Sequence, residues 1–109
     1  MEEIKNKLDL IIKACEDKKG IDLEIIDISE KSVIADKFVI VSGNTSTQVK
    51  SIADGIEKEM EEAGYGEKNF IKEGHSSGRW ILLDYHSVIV HVFHKEEREF
   101  YNLERLWKE

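Results

Sequence analysis

Two apolar runs in the second half of the chain constrain its fold more than any other feature. Residues 79–84 (RWILLD) and 87–93 (SVIVHVF) both read as extended strands, in which successive side chains point to opposite faces of a sheet. The short stretch around His86 that separates them is typical of a hairpin turn. One face of this hairpin is purely aliphatic and suits packing against helices. Its residues are Ile81, Leu83, Val88, Val90 and Val92.

The opposite face of the same hairpin mixes apolar, aromatic and polar side chains. A helix can cover such a face, or the face can dock a partner, because aromatic residues beside a few polar groups are typical of interface hot spots. The residues alone leave both interpretations open. The members of this mixed face are Trp80, Leu82 and Asp84 on one strand and Ile89, His91 and Phe93 on the other.

The rest of the chain supplies the helices and strands that complete a fold. Helical spacing of apolar residues predicts helices over residues 2 to about 19 and 45–63, and strand patterns appear at 21–28, 36–42 and 70–73. A short terminal helix within 96–109 should dock the apolar face made by Phe100, Leu103, Leu106 and Trp107. The order α-β-β-α-β-β-β-α predicts one α/β domain over residues 1–109. Its mixed sheet has about five strands, with the main helices on the aliphatic face.

Charge and apolar content limit the cellular compartments and the classes of partner that suit this chain. Sixteen basic residues against 23 acidic ones give a net charge of −7, so we expect no direct nucleic-acid binding, which relies on Lys and Arg neutralising phosphates. A basic protein surface is a better match. No apolar run approaches the roughly 20 residues that span a bilayer, and the N-terminus lacks a signal-peptide core. With a single cysteine, Cys15, the sequence predicts a cytoplasmic protein without membrane contact.

The stretch FVIVSGNTSTQV, residues 38–49, has the strand, glycine turn and helix start from which phosphate-binding loops are built. A nucleotide-binding or nucleotidyltransferase-like enzyme is therefore the alternative function, and it would use Ser42, Gly43, Asp22 and Glu24. However, the stretch lacks the GxxxxGK[ST] lysine and any GxGxxG run. Its T-x-x-Q sequence, beginning at Thr45, has the spacing of a helix capping box, which favours a structural turn.

The histidines and the cysteine do not form a pattern typical of a metal or catalytic site. His91 and His94 are three residues apart, so on one strand they point to opposite faces. His75 and His86 fall in predicted turns, and Cys15 lies on the apolar stripe of the first helix. We therefore predict no catalytic residue, no cofactor and no metal ion.

Several segments together resemble the ribosomal silencing factor family, also called the Iojap family. Each segment is weak by itself, but their order and spacing are specific, and the resemblance covers nearly the whole chain. The segments are DKFVIVSGNTS (36–46), QV (48–49), SIAD (51–54), EG (73–74), WILLD (80–84), VIVHV (88–92) and FYxLExLW (100–107).

The resemblance implies a binding protein that performs no chemistry. Members bind the large-subunit ribosomal protein fourteen where the small subunit would join, block subunit association and lower translation during nutrient limitation. Their fold is related to nucleotidyl transferases but lacks the metal carboxylates. This chain departs from the family pattern at Thr47, where a basic residue is common, and at His86-Ser87, where Gly-Asp is common.

We predict that the partner docks on the mixed face, centred on Trp80, a large amphipathic anchor whose truncation commonly costs about 2 kcal/mol or more. The competing interpretation buries Trp80 in the core under the terminal helix, against Leu103 and Trp107. The sequence does not decide whether the free protein forms a homodimer. The predicted partner-binding residues are Trp80 at the centre, Glu73, Asp84 and His91 around it, and Arg98 and Tyr101 at the rim.

Overall fold

The computed structural model describes residues 2–66 and 71–108, so Phe70, the predicted first residue of the third strand, lies outside the described residues. None of the helices among the described residues is long and apolar enough to cross a bilayer. The elements are α1 (Glu2–Asp17), β1 (Ile21–Asp27), β2 (Lys37–Gly43), α2 (Ser46–Glu62), β3 (Ile71–Glu73), β4 (Trp80–Asp84), β5 (Val88–His94), α3 (Lys95–Tyr101) and α4 (Leu103–Lys108).

The five strands form one mixed sheet in the order β1-β2-β5-β4-β3. Strands β2 and β5 are parallel, whereas the pairs β1–β2, β4–β5 and β3–β4 are antiparallel. The predicted mixed sheet of about five strands is therefore confirmed. Because β2 and β5 run in the same direction at the centre, their carboxyl ends meet at one edge of the sheet.

Helices α1 and α2 cover the aliphatic face, as predicted. Val88, Val90 and Val92 are fully buried there, together with Ile81 and Leu83 of β4. Each completely buried aliphatic side chain of this size stabilises the fold by about 1.5–3 kcal/mol. The alternation of β4 and β5 therefore determines which face of the sheet receives the two long helices.

The turn after β2 is built as a helix cap. Thr45 has extended backbone angles, and its side chain accepts a hydrogen bond from the Gln48 amide at 3.0 Å. The Gln48 side chain accepts in return from the amide of Asn44 at 2.7 Å and donates to the carbonyl of Lys19 at 3.0 Å. The Thr45 half of the predicted capping box is confirmed, whereas the return bond from Gln48 goes to Asn44, one residue before the cap. Gln48 also ties the start of α2 to the end of α1.

The terminal segment covers part of the mixed face, but as two helices rather than the predicted one. Asn102 adopts the left-handed conformation, with φ 46°, and ends α3, which asparagine tolerates better than most residues. After this break Leu103 and Trp107 face the sheet, whereas Phe100 and Leu106 are 79% and 71% exposed. The prediction that all four residues dock inward was therefore wrong for Phe100 and Leu106.

Candidate partner-binding face

Trp80 lies at the start of β4, half-buried, on the side of the mixed face towards the β3 edge. Its ring centroid is 4.8 Å from that of Phe93 and 5.0 Å from that of Tyr101. Its indole Nε1 donates a hydrogen bond to Nδ1 of His91 at 3.1 Å. Trp80 is thus fixed by core neighbours and keeps part of its surface open to solvent.

Helices α3 and α4 leave this side of the mixed face open because they pack mainly on β1, β2 and β5. Ile89 and Phe93 of β5 are buried below them, and Trp107 lies against Phe38 with ring centroids 5.1 Å apart. In β4, by contrast, Trp80 and the two other residues of the mixed face are only half-buried. The terminal helices therefore cover the centre of the mixed face but not its β4 side.

Two acidic side chains flank the open side. Glu73 of β3 pairs in register with Leu82 of β4, so it lies on the same face, and it is exposed. Asp84 is half-buried, and its Oδ1 accepts a hydrogen bond from the amide of His86 at 2.8 Å. We call the surface formed by Trp80, Leu82, Tyr101, Glu73 and Asp84 the docking face.

Tyr101 belongs to the docking face because it contacts Trp80 and is 51% exposed. Phe100, at 5.0 Å from the Tyr101 ring, adds a further exposed aromatic side chain at its border. Sequence reasoning placed Phe100 on the buried stripe and did not include Leu82 in the site. The strand alternation that put Leu82 beside Trp80 was the available signal for Leu82.

His91 lies beneath the docking face rather than on it. Its side chain is buried, with the residue 4% exposed, and its ring meets Phe38 edge-on with centroids 4.7 Å apart. Burial lowers the pKa of His91 to about 4, because the charged imidazolium loses its hydration in the core. The imidazole is therefore neutral at pH 7, and its position allows it to act on a partner only through Trp80.

Arg98 is not brought to the docking face. Its guanidinium is buried against β2, where Nη1 donates to the Ser42 hydroxyl at 2.9 Å. Nε donates to Glu104 of α4 at 3.3 Å, and Nη2 is 3.9 Å from a carboxylate oxygen of Glu24 in β1. The predicted position at the rim was wrong, because the side chain is held by carboxylates on the covered side of the sheet.

The turn considered for nucleotide binding opens on a polar cleft of about 820 Å3. The Ser42 hydroxyl is buried and already accepts from Arg98, and Asp22 lies at a strand irregularity with φ 52°. In the described part of the chain, no three His, Cys, Asp or Glu side chains are grouped to hold a metal ion. Lys95 and Arg98 also line the cleft, but they are outnumbered by carboxylates, which would repel a phosphate. These carboxylates belong to Asp22, Glu24, Glu99 and Glu104.

Fold and surface together define a small α/β protein with an exposed aromatic sheet face flanked by carboxylates. The chain belongs to the ribosomal silencing factor family: the family model described as "Ribosomal silencing factor during starvation" matches residues 1–109. The family resemblance identified from the sequence is thereby confirmed. The family name connects the chain with ribosome silencing and translation regulation.

Named relatives and a solved structure agree with this assignment. A ribosomal silencing factor from Bacillus subtilis is 43% identical over 103 residues, which cover 94% of this chain and 86% of the relative. A crystal structure of a Chromobacterium violaceum protein superposes with a TM-score of 0.90 at 34% identity, covering 96% of this chain and 86% of that one. A mouse protein named "Mitochondrial assembly of ribosomal large subunit protein 1" is 25% identical over 101 residues, 92% of this chain and 44% of its own length.

Proposed function

We propose that this protein binds the large ribosomal subunit through the large-subunit ribosomal protein fourteen and sterically prevents the small subunit from joining. Translation is then lowered when nutrients are limiting. Family membership supports the ribosomal role, and the name of the mouse relative refers to the large subunit. The observation that carries the proposal is the docking face, with Trp80 half-buried at the start of β4 and the carboxylates of Glu73 and Asp84 farther along the same face.

The chemistry of the docking face suits a basic protein partner. Trp80 and Tyr101 offer aromatic surface that is already held in place, and anchors of this kind dominate binding energies. Glu73 and Asp84 can meet lysine or arginine side chains, which sets orientation and association rate more than affinity. The net charge of −7 favours approach to a basic surface.

Steric occlusion needs affinity and position but no reaction, and we infer that the protein acts without catalysis. The buried Ser42 hydroxyl is engaged by Arg98, and the adjoining cleft is lined by four carboxylates. Calorimetry with nucleoside triphosphates and magnesium discriminates between the two functions. We expect no binding heat, and saturable heat at micromolar nucleotide would instead favour the enzyme.

The direct test measures binding and subunit joining with purified subunits. We expect the protein to co-sediment with isolated large subunits and to suppress the light-scattering increase that accompanies addition of small subunits. Unchanged joining in the presence of excess protein would contradict the proposal. Co-sedimentation with small subunits alone would show that the wrong subunit was chosen.

Two variants test the docking face itself. Trp80→Ala should weaken large-subunit binding by about 30-fold or more, the factor that corresponds to 2 kcal/mol at a central aromatic anchor. Asp84→Lys should also weaken binding, and Glu16→Lys, an equal charge reversal on an exposed position of α1, is the matched control. If Asp84→Lys binds like wild type and Trp80→Ala mainly lowers the melting temperature, this face is not the contact.

A further inference from the structure

The hydrogen bond between Trp80 and His91 joins the docking face to the core below it. In the β4–β5 register Trp80 pairs with Phe93 and Leu82 pairs with His91, so the two residues are diagonal neighbours on one face. Their bond, 3.1 Å from Nε1 to Nδ1, connects a half-exposed side chain to one that is 4% exposed. The bond therefore fixes an exposed ring from beneath.

The bond also determines the tautomer of His91. Because Nδ1 accepts the indole proton, it carries no hydrogen, and the neutral ring must have its proton on Nε2. Burial lowers the pKa of His91 to about 4, so Nδ1 remains an acceptor at neutral pH. The rings of Phe38 and Phe93, with centroids at 4.7 Å and 6.1 Å, pack against the imidazole and fix the direction of that acceptor.

A histidine at this position is unfavourable for packing alone. Within the described residues, Nε2 of His91 is buried and has no hydrogen-bond partner. A buried donor without an acceptor destabilises the fold, whereas an apolar side chain of similar size would not carry this penalty. What the imidazole provides, and an apolar residue cannot, is the acceptor for Trp80.

That acceptor matters most when a partner covers Trp80. An indole N–H that already has a partner can be buried in an interface without losing a hydrogen bond. A ring whose orientation is already fixed also loses less side-chain freedom when it binds. On the basis of the proposed function, we propose that His91 is a positioning residue, which fixes the Trp80 indole in the orientation that docks on the large ribosomal subunit.

Two substitutions separate positioning from core packing. His91→Leu and His91→Asn both remove the ring contacts with Phe38 and Phe93, but only asparagine can present an oxygen acceptor near the Nδ1 position. The readouts are hydrogen exchange of the Trp80 indole N–H by nitrogen-15 NMR, assigned with Trp107→Phe, and affinity for isolated large subunits by co-sedimentation. Melting temperatures of both variants report the packing loss separately.

We expect His91→Leu to expose the Trp80 indole N–H to faster exchange and to weaken large-subunit binding about tenfold, the factor for one unsatisfied buried donor. His91→Asn should restore most of the exchange protection and most of the affinity, even if both variants melt equally early. Wild-type affinity in a folded His91→Leu variant would overturn the positioning role, as would an equal loss of affinity in both variants.

A second variant keeps the test decisive if His91→Leu does not fold. His91→Phe keeps a ring against Phe38 but has no acceptor, so it should weaken binding in the wild-type chain. Trp80→Phe removes the indole donor and retains an aromatic ring, so in that background His91→Phe should cause no further loss of affinity. A full additional loss would show that His91 acts independently of Trp80. If wild-type protein fails to bind large subunits, the proposed function is wrong, whereas the indole exchange of the variants still reports whether His91 fixes Trp80.

Discussion

Removing the Arg98 guanidinium should destabilise the protein strongly, because this cation connects three elements from a buried position. Its side chain is 10% exposed and reaches Ser42 of β2, Glu24 of β1 and Glu104 of α4. Arg98→Met keeps most of the apolar stem but leaves the Ser42 hydroxyl and the Glu104 carboxylate without their cation. Breaking a buried pair in this way costs 3–5 kcal/mol, and we take about 3 kcal/mol because Glu104 is 20% exposed.

The assay is urea unfolding followed by far-ultraviolet circular dichroism, with thermal melts beside it. A loss of about 3 kcal/mol corresponds to a fall in melting temperature of roughly 10–15 °C for a domain of this size. Arg105→Met, at an exposed position of α4, is the matched control and should change stability by less than about 0.5 kcal/mol. The double variant Arg98→Met with Glu104→Met should recover part of the loss, because the Glu104 carboxylate is then no longer left without its cation.

The result that would refute this reasoning is a stability of Arg98→Met within about 1 kcal/mol of wild type, since the ion pair would then contribute little. The same variant also tests the sequence-based prediction that Arg98 contacts the partner at the rim. A contact residue would lose ribosome binding and keep its melting temperature. For Arg98→Met we expect the opposite result, a lower melting temperature as the main effect.

Three further perturbations test local features of the structure. His86→Gly should stabilise the protein by roughly 0.5–1 kcal/mol. His86 has φ 66° in the β4–β5 turn, and glycine adopts this conformation without a side-chain clash. A urea titration measures the change in the free energy of unfolding. Thr45→Ala should cost about 1 kcal/mol by removing the cap of α2, whereas Thr45→Ser should retain it, and equal losses would contradict the cap. The pKa of His91 is about 4 in the folded protein against an ordinary 6.5, so between these pH values the unfolded chain binds a proton that the folded protein does not. The neutral His91 therefore makes its full contribution to stability above pH 6.5. About 3 kcal/mol should be lost as the pH falls to 4, and this loss should be absent in His91→Asn.

The architecture could be predicted because local pattern and tertiary packing favour the same structure. Alternation in residues 79–93 requires one aliphatic face, and the sequence contains two long helices with apolar stripes to cover it. The T-x-x-Q pattern at Thr45 likewise specifies a cap through contacts three residues apart. Predictions of this kind succeed because every interaction involved is local, or follows from the two-residue period of a strand.

The terminal helices and Arg98 could not be predicted in the same way. Helical spacing from Phe100 to Trp107 is continuous in the sequence, and only the left-handed Asn102 ends α3 and rotates the second helix. The direction of Arg98 depends on carboxylates 74 positions earlier and six positions later in the chain, at Glu24 and Glu104. Contacts over such separations leave no periodic signal, so a basic residue near an expected interface is easily taken for a contact.

Arg98 links the turn at Ser42, which the sequence suggested for nucleotide binding, with the docking face, which it suggested for a protein partner. The carboxyl ends of the parallel strands β2 and β5 meet at one edge, where the chain leaves β2 for α2 on one face and β5 for α3 on the other. Ligands commonly bind in open α/β sheets at such an edge. Here the guanidinium of Arg98 donates a hydrogen bond to the Ser42 hydroxyl at that edge, and this bond anchors α3. The same helix ends in Tyr101, which packs on Trp80, so the interaction that occupies the potential ligand crevice also supports the docking face.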